Sequence, residues 1–329
     1  MATPRKIDPP PRARVAVLIS GRGSNMAALL YAAQAEDCPY EVCLVAANDP
    51  DAPGLAIAAT EGVATWAKSH KGLERAAFDA LIGAAVEDAG ADYIALAGYM
   101  RLLSPEFVAR WDGRMLNVHP SLLPKYKGLD THGRAIANGD THGGCSVHLV
   151  TAEVDDGPVL GQTKVAIAAD DTPATLAARV QLAEHQLFPR ILASYIGRAR
   201  DPAWLTARIG DLALALPETQ YRESHGAPGW RVGSASSGKY FAYISDHHHG
   251  EQAVALLVKT SGQDEMATLI EAEPEFYYRP AYYGASGWIA IRLDRPDTDW
   301  LHIEDWLRKS WQRVAPKRLT KLMDAADEF

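Results

Sequence analysis

Residues 117–124, which read NVHPSLLP, contain a pair of side chains suited to chemistry on a carbonyl group. Such chemistry needs a fixed hydrogen-bond donor aimed at the oxygen and a group that can move a proton near neutral pH. Asn117 supplies the donor and His119 the titratable group, and on an extended segment both leave the same face. Pro120 and Pro124 stiffen the following loop. The alternative is a strand that ends in a proline turn, with His119 as an ordinary hydrogen-bonded residue.

A second pattern, residues 15–30, joins a short β-branched run to a helical pattern through the sequence SGRGSN. Gly21 and Gly23 allow a tight bend that brings backbone N–H groups close to an anion, and Ser24 and Asn25 are favoured N-cap residues. The pattern lacks the third glycine of a dinucleotide fingerprint and the Gly-Lys-Ser/Thr ending of a P-loop. It predicts a site for a single phosphate monoester, with an unliganded strand-to-helix turn as the alternative.

A third pattern, residues 144–159, is an alternating apolar strand followed by an acidic turn that carries Asp155 and Asp156. A carboxylate at this strand end could orient His119 and stabilise its charged form, which would raise its pKa. An Asp-Asp-Gly-Pro turn is also typical of a solvated loop. On the residues alone, both interpretations stay open.

The N-terminal part of the chain alternates short strands with alanine-rich helices. We predict strands near residues 15–19, 41–46, 93–96, 115–118 and 146–150, and helices near 25–35, 54–61, 74–89 and 172–194. This order is typical of an α/β fold, a mostly parallel, doubly wound sheet with helices on both faces. Ligands of such folds gather beyond the carboxyl ends of the strands, where all three patterned loops would lie.

Together these patterns resemble the phosphoribosylglycinamide formyltransferase family of folate-dependent enzymes. The resemblance extends from about residue 14 to about residue 195, and it includes LAGYMRLLSP at residues 96–105 and RVQLAEH at residues 179–185. It implies a formyltransferase-like, Rossmann-type fold.

The resemblance also implies roles for the matched residues. The catalytic residues of the family fall on Asn117, His119 and Asp155. The residues that bind the ribonucleotide fall on Gly23, Ser24, Asn25, Gln181 and Glu184, with Glu184 suited to accept hydrogen bonds from ribose hydroxyls. The folate pocket falls on Arg75, Met100, Arg101, Leu102, Leu103, Asn117, Val150 and Thr151.

The implied reaction is transfer of a formyl group from 10-formyltetrahydrofolate, a cosubstrate, to the amine of glycinamide ribonucleotide in purine (IMP) biosynthesis. No metal or nucleotide cofactor is implied, because the formyl group arrives activated. One alternative is another folate-dependent formyl enzyme, such as a tRNA formyltransferase or a formyltetrahydrofolate hydrolase. Another is a C-terminal module that binds nucleic acid or a partner as the main activity. The glycine loop favours the ribonucleotide as the substrate.

Composition narrows the class of protein. A length of 329 residues is sufficient for two domains. The net charge of −8 means that the chain as a whole has no excess of positive charge with which to attract nucleic acid or an anionic membrane. No apolar run approaches the roughly 20 residues that span a bilayer, and we expect a flexible tail at residues 1–13. Cys38, Cys43 and Cys145 lack metal-site spacing, which favours free thiols in the cytoplasm. We expect a monomer or a homodimer.

The character of the chain changes near residue 200, so we predict a formyltransferase domain at 14–199 and a second domain at 200–329. Six of the eight tryptophans lie in the second region. Aromatic strands are predicted near residues 239–244, 275–278 and 288–293. Residues 212–218, 284–288 and 310–317 resemble the YjbR-like (MmcQ/YjbR) family, which implies a small frataxin-like α+β fold of poorly defined role.

Nucleic acid is a candidate partner only through this second region, which is net acidic, with 14 Lys and Arg against 19 Asp and Glu from residue 201 onward. A local basic cluster is interleaved with Trp306 and Trp311, and comprises Arg308, Lys309, Arg313, Lys317, Arg318 and Lys321. Such a stripe can hold phosphates by charge and bases by stacking. The alternative is an amphipathic helix with its tryptophans in the core.

Three consecutive histidines, His247, His248 and His249, suggest a metal site at first sight. Consecutive residues of a strand or helix cannot all point at one ion. We therefore predict a polar hairpin turn at this position.

Overall fold

The computed structural model describes residues 11–234, 237–247, 253–296 and 298–327. Most of the predicted tail, and both His248 and His249, lie outside the described residues. The chain divides into two compact units, of which the first is Arg12–Gly197 and the second begins at Arg198. In the described part of the chain, no helix is long and apolar enough to cross a bilayer.

The first unit is built around a seven-stranded sheet with the order β3-β2-β1-β4-β5-β6-β7. The strands are β1 (Ala13–Ile19), β2 (Tyr40–Ala47), β3 (Thr65–Ala67), β4 (Tyr93–Leu96), β5 (Met115–His119), β6 (His142–Leu149) and β7 (Val159–Ala166). The first five strands are parallel, whereas β6 and β7 pair antiparallel at one side. The sheet is therefore mostly parallel, as predicted.

Helices cover both faces of this sheet. They are α1 (Ser24–Ala32), α2 (Gly54–Thr60), α3 (Arg75–Asp88), α4 (Pro105–Arg110), α5 (Thr131–Ala137) and α6 (Pro173–Gly197). On α3, Phe78, Ile82 and Val86 recur every four residues and form one apolar stripe, which packs with α4 on one face. The stripes of α1 and α6 pack on the other face. The predicted doubly wound α/β fold is confirmed.

The sequence analysis did not predict four elements of this unit. Of these, β3 has only three residues, α4 and α5 have six and seven, and β7 is an edge strand whose side chains alternate between exposed and half-buried. An edge strand buries little apolar surface, so polar residues such as Gln162 and Lys164 are tolerated there. The hydrophobic periodicity that reveals buried strands is correspondingly weak.

The second unit is an α+β structure, as predicted. Its six-stranded antiparallel sheet has the order β12-β13-β11-β10-β9-β8. The strands are β8 (Thr219–Tyr221), β9 (Gly229–Val232), β10 (Lys239–Asp246), β11 (Val254–Lys259), β12 (Tyr277–Tyr278) and β13 (Trp288–Arg292). The helices are α7 (Pro202–Leu214), α8 (Gln263–Ala272), α9 (Trp300–Val314) and α10 (Lys317–Asp327).

Helix α9 decides between the two interpretations of the basic, tryptophan-rich stripe. Trp306 is 3% exposed and Trp311 is fully buried, and both belong to the core between the sheet and its helices. Three of the neighbouring cations form ion pairs: Lys309 with Asp305, Arg313 with Glu265, and Arg318 with Glu218. These tryptophans have no exposed face on which a base could stack, so the amphipathic-helix interpretation is the one that the structure supports.

Candidate active site

Asn117 and His119 lie on β5, at the carboxyl end of the parallel strands. Leu116 and Val118 pack into the core on one side, so Asn117 and His119 share the opposite face. Asp155, in the loop between β6 and β7, approaches this face with Oδ2 3.2 Å from His119 Nδ1. The structure thus brings together three side chains that are widely separated in the sequence.

Both ring nitrogens of His119 face oxygen acceptors, because Nε2 lies 2.9 Å from the Tyr126 carbonyl oxygen. A neutral ring of either tautomer leaves one lone pair facing an oxygen, which favours a second proton. Burial nevertheless lowers the pKa of His119 below its ordinary value, and the Tyr126 carbonyl and the Asp155 charge offset only part of this effect. The expected effect of Asp155 on the His119 pKa therefore has the right sign, but burial outweighs it.

The Asp155 carboxylate is held by backbone as well as by side chains. Its Oδ2 accepts a hydrogen bond of 2.9 Å from the Gly128 N–H. Burial raises the pKa of Asp155, but the neighbouring His148 ring, the Gly128 hydrogen bond and the charge of His119 together outweigh burial, so the net pKa lies below its ordinary value. The carboxylate is therefore ionised at neutral pH. Its neighbour Asp156 is instead paired with Lys127.

His148 is a site residue that the sequence patterns did not reveal. It lies on β6 directly opposite Asn117, with its Nε2 3.1 Å from Asn117 Nδ2 and 3.6 Å from Asp155 Oδ1. Its Nδ1 lies 2.7 Å from the Leu149 carbonyl, so Nδ1 carries the proton and Nε2 can accept a hydrogen bond from Asn117. His148 thereby orients the Asn117 amide. The available signal was a lone histidine in an alternating strand, but its partner depends on the strand register.

The glycine loop leads directly from β1 into α1. The N-cap position is Gly23, with φ 72° and ψ 25°, so the expectation that Ser24 or Asn25 caps the helix is wrong. A Cβ on Gly23 would lie 2.7 Å from Met26 Cε and 2.9 Å from Gly54 Cα, which leaves room only for glycine. Among the described residues no side chain caps this helix, so its first N–H groups are available to another acceptor.

Side chains from α6 complete this loop. Gln181 Nε2 donates to Ser24 Oγ at 2.9 Å, and Asn25 Nδ2 donates to Glu184 Oε2 at 2.8 Å. Glu184 is 8% exposed, and burial raises the pKa of its carboxyl group, against the opposing effect of the Asn25 hydrogen bond. The five residues predicted to hold the ribonucleotide therefore form one contiguous group.

The residues predicted to line the folate pocket lie in four segments, one of which is β5 with Asn117. Met100, Leu102 and Arg75 are exposed, and Arg75 is the first residue of α3. The Arg101 guanidinium lies 4.9 Å from the centre of the Phe78 ring. Leu103 and Val150 pack against the core cluster that contains Phe78. The Thr151 hydroxyl donates to the Glu153 carbonyl at 3.3 Å. Two exposed apolar side chains, those of Met100 and Leu102, follow β4 next to the strand that carries Asn117.

Two hydrogen bonds through Ser20 connect the glycine loop to the segment that begins at Met100. The Met100 N–H donates to Ser20 Oγ at 2.7 Å, and the Ser20 hydroxyl donates to Asn48 Oδ1 at 2.6 Å. Ser20 lies directly after β1, at the start of the glycine loop. Asn48 lies directly after β2 and is 5% exposed. The two predicted substrate sites are therefore held in a common frame.

Residues 13–192 match the protein family described as Formyl transferase, which is more than half of the chain. The chain belongs to the formyl transferase family. A second match, to the family described as YjbR, covers residues 214–313.

Relatives of the formyl transferase unit include free-standing enzymes and parts of larger ones. A phosphoribosylglycinamide formyltransferase of Escherichia coli (strain K12) is 42% identical over 196 residues, 58% of this chain and 92% of the relative. The trifunctional purine biosynthetic protein adenosine-3 of Homo sapiens is 43% identical over 182 residues, 55% of this chain. The chain spans only 18% of the length of that human protein.

Solved structures resemble the same unit. The crystal structure of phosphoribosylglycinamide formyltransferase from Brucella melitensis is 48% identical, with a TM-score of 0.54, and the match covers 56% of this chain and 96% of that one. A glycinamide ribonucleotide transformylase from Geobacillus kaustophilus is 37% identical, with a TM-score of 0.54.

Proposed function

We propose that the formyl transferase unit transfers a formyl group from 10-formyltetrahydrofolate to the amine of glycinamide ribonucleotide. The observation that carries this proposal is the convergence of Asn117, His119 and Asp155 at one strand end of the sheet that also carries the Gly23 loop. The names of the relatives from Escherichia coli and Brucella melitensis support the same substrate. The formyl transferase family implies a folate-derived donor, and 10-formyltetrahydrofolate supplies the formyl group in activated form.

The ribonucleotide binds along the group formed by the glycine loop and α6. Its phosphate accepts hydrogen bonds from the first N–H groups of α1, which lack a side-chain cap and lie at the positive end of the helix dipole. Ribose hydroxyls donate to the Glu184 carboxylate. The Asn25 side-chain oxygen, buried without a hydrogen-bond partner among the described residues, is a further acceptor for the sugar.

The folate donor binds across Met100 to Leu103 and the loop that begins at Val150. The exposed apolar side chains of Met100 and Leu102 suit a flat heterocycle, and backbone groups of the same loop can bond its edge. Arg75 and Arg101 supply positive charge for an anionic tail. The formyl carbon then lies at the end of β5.

The chemistry follows from the charges around β5. The ribonucleotide amine attacks the formyl carbon, and negative charge develops on the carbonyl oxygen. The Asn117 amide, oriented by His148, donates a hydrogen bond to this oxygen. Asp155, ionised at neutral pH, accepts the amine proton directly or through water. Asp155 then gives this proton to His119, which passes one to the departing folate nitrogen as the C–N bond breaks, so that both side chains regain their starting protonation states.

In this structure His119 Nε2 is hydrogen-bonded to the Tyr126 carbonyl. For this nitrogen to serve the substrate, the carbonyl must release it. We therefore infer that the segment around Tyr126 shifts during the catalytic cycle.

The test is the variant Asp155→Ala, compared with Asp156→Ala as a matched control one residue away. We expect turnover to fall by about 100-fold or more in Asp155→Ala, as for the loss of a general acid–base group. Asp156→Ala should retain turnover, because Asp156 pairs with Lys127 and not with His119. Steady-state formylation of glycinamide ribonucleotide measures both. Near-wild-type turnover in Asp155→Ala would remove this carboxylate from the mechanism.

A further inference from the structure

The sheet of the second unit has two different faces. One packs against α7 and α9 and forms the main core of the unit. The other, called here the outer face, carries a separate aromatic cluster. One row of residues in register crosses five strands of this face, and runs through Gly229, Tyr243, Leu257, Ala290 and Tyr278.

The rings of the outer face form a connected group. Tyr240 and Tyr243 stack at 4.8 Å with an angle of 23° between their planes. The Tyr243 ring also lies 5.7 Å from Tyr283 and 5.2 Å from Trp288, tilted at 45° and 47°. Tyr283 comes from the loop between β12 and β13 and so adds a wall above the sheet.

The position of the Tyr243 ring depends on the glycine opposite it, Gly229, which has no side chain. A Cβ on Gly229, opposite Tyr243 on β9, would lie 2.9 Å from two carbon atoms of the Tyr243 ring. The ring therefore lies across the backbone of β9, with Tyr240 stacked beside it. This arrangement gives Tyr243 a fixed ring orientation.

A cavity of about 240 Å³ opens beside Tyr243 and Tyr283. Its walls come from the outer face and from the segments on either side of it, and include Ser224, His225, Ala227, Tyr243, Ser245 and Tyr283. Pockets for drug-sized ligands are larger, about 300–1,000 Å³. The cavity therefore has room for one small ring system.

The chemistry of the walls limits what can bind. The described wall residues include no carboxylate, and the Lys259 ammonium lies 5.2 Å from the centre of the Trp288 ring in the same aromatic group. Both features disfavour a cationic ligand. Ser224, His225 and Ser245 offer hydrogen bonds at the edge of the cavity. Burial raises the pKa of Tyr243 to about 12, so its hydroxyl group stays protonated.

We propose that this cavity binds a neutral planar heteroaromatic molecule with the dimensions of a nucleobase. The half-buried Tyr283 ring supplies the stacking surface, and the serine and histidine side chains bond the heteroatoms of the ligand ring. This site belongs to the second unit alone and does not depend on the formyl transfer reaction.

The probes are adenosine and uridine, titrated calorimetrically into the full-length protein. Neither carries a phosphate, so the glycine loop of the first unit offers them no anion site. The titrations are repeated with glycinamide ribonucleotide at saturation, which occupies the ribonucleotide site of the first unit, and with saturating tetrahydrofolate, which occupies its folate site. We expect saturable binding of at least one nucleoside, unchanged by either ligand of the first unit.

Two variants locate the binding. Tyr283→Ala removes one aromatic wall, and Ala227→Leu fills the cavity without removing a ring. Each should weaken binding by about fivefold or more, the lower end of the effect of removing a base-stacking ring. Tyr282→Ala, in the adjacent position, is the matched control, because Tyr282 is 83% exposed and is not a wall residue. It should bind as the wild type does, and thermal melts check that all three variants are folded.

Three outcomes would overturn the proposal. The first is the absence of saturable binding of both nucleosides. The second is binding that Tyr283→Ala and Ala227→Leu leave unchanged. The third is tighter binding of a single-stranded oligothymidylate that survives the Ala227→Leu change, since this would make the outer face a nucleic-acid surface instead of a small-molecule site.

Discussion

At the scale of single residues, the catalytic role proposed for Asn117 depends on its neighbour. A side-chain amide can rotate by half a turn and present either oxygen or nitrogen, and only the nitrogen can donate to a developing oxyanion. His148, with its proton on Nδ1, accepts one Asn117 N–H at 3.1 Å and so selects the orientation. The second N–H of the same group is then left for the substrate.

We expect His148→Ala to reduce kcat by about 10- to 100-fold, somewhat less than the loss of an oxyanion donor itself. The KM for glycinamide ribonucleotide should change little, because the group that binds it lies on α1 and α6. His142→Ala, an exposed residue of the same strand, is the control. An unchanged kcat in His148→Ala would mean that Asn117 needs no partner to hold its orientation.

Glu184 illustrates a conflict between binding and stability. Its pKa is raised by burial, so the folded state holds the proton more tightly than the unfolded state does. The stability that this provides is fully present below the ordinary pKa of 4.5 and is lost as pH rises through the raised pKa of the folded state. Once ionised, the carboxylate therefore destabilises the unit, and the proposed binding of the sugar accounts for its presence.

We expect Glu184→Gln to raise the thermal midpoint at pH 7.5 by about 2–4 °C, the shift for roughly 1 kcal/mol in a domain of this size. At pH 4.5 and below the difference should shrink. The same variant should raise the KM for glycinamide ribonucleotide, because an amide is a weaker acceptor than a carboxylate. Calorimetric melts at several pH values test the first effect, and a lower midpoint at pH 7.5 would contradict it.

At the scale of elements, Gly23 has two effects on the turn from β1 to α1. Gly23 takes a positive φ that ends the strand and starts the helix, and its missing side chain lets Met26 and Gly54 approach. The same turn leaves the first N–H groups of α1 without a side-chain cap, which is where we propose that the phosphate binds. Ser20, at the other side of the turn, holds Met100 through its hydroxyl group.

We expect Gly23→Val to weaken binding of glycinamide ribonucleotide by about tenfold or more, since a β-branched residue at positive φ is strained by at least about 1 kcal/mol and also clashes here. Binding of the folate donor should be spared, because Met100 to Leu103 follow a different strand. Calorimetric titration with each ligand separately measures this. Gly62→Val, another positive-φ glycine with open space around it, controls for strain alone. Equal loss for both ligands would argue against a specific phosphate site.

At the scale of the whole molecule, the two units have separate cores. The first contains all the residues proposed for formyl transfer, and its Escherichia coli relative is covered to 92% by the matched segment. A unit with its own core can in principle fold by itself. The proposed chemistry therefore makes no demand on the second unit.

We expect a chain that ends at Gly197 to fold cooperatively and to retain kcat/KM within about twofold of the full-length protein, as expected for an autonomous domain. Circular dichroism melts and formylation assays of the shortened chain check this. A large loss of activity with an intact fold would show that the second unit contributes to the reaction.

The sequence by itself determined the local units and their order. Apolar runs such as residues 15–19, the Gly21–Gly23 turn and the stripe of Phe78, Ile82 and Val86 specify strand, turn and helix through contacts over a few residues. Their alternation was sufficient to predict a doubly wound sheet. It was also sufficient to predict that the loops with Asn25 and His119 would lie at its carboxyl edge. The loop with Asp155 instead follows β6, which runs antiparallel to β5, so it begins beside Met115 at the amino end of β5 and folds back to His119.

The tertiary structure alone decided which side chains meet. His148 faces Asn117 because β6 returns antiparallel to β5 in one particular register, and a shift of one residue would turn it to the other face. Trp306 and Trp311 are buried because α9 packs against the sheet of the second unit. The sequence of this helix was equally compatible with an exposed stripe of basic and aromatic residues. The net pKa of His119 depends on burial by surrounding elements. Register, burial and local charge depend on contacts between distant segments, and periodicity in the sequence carries little information about them.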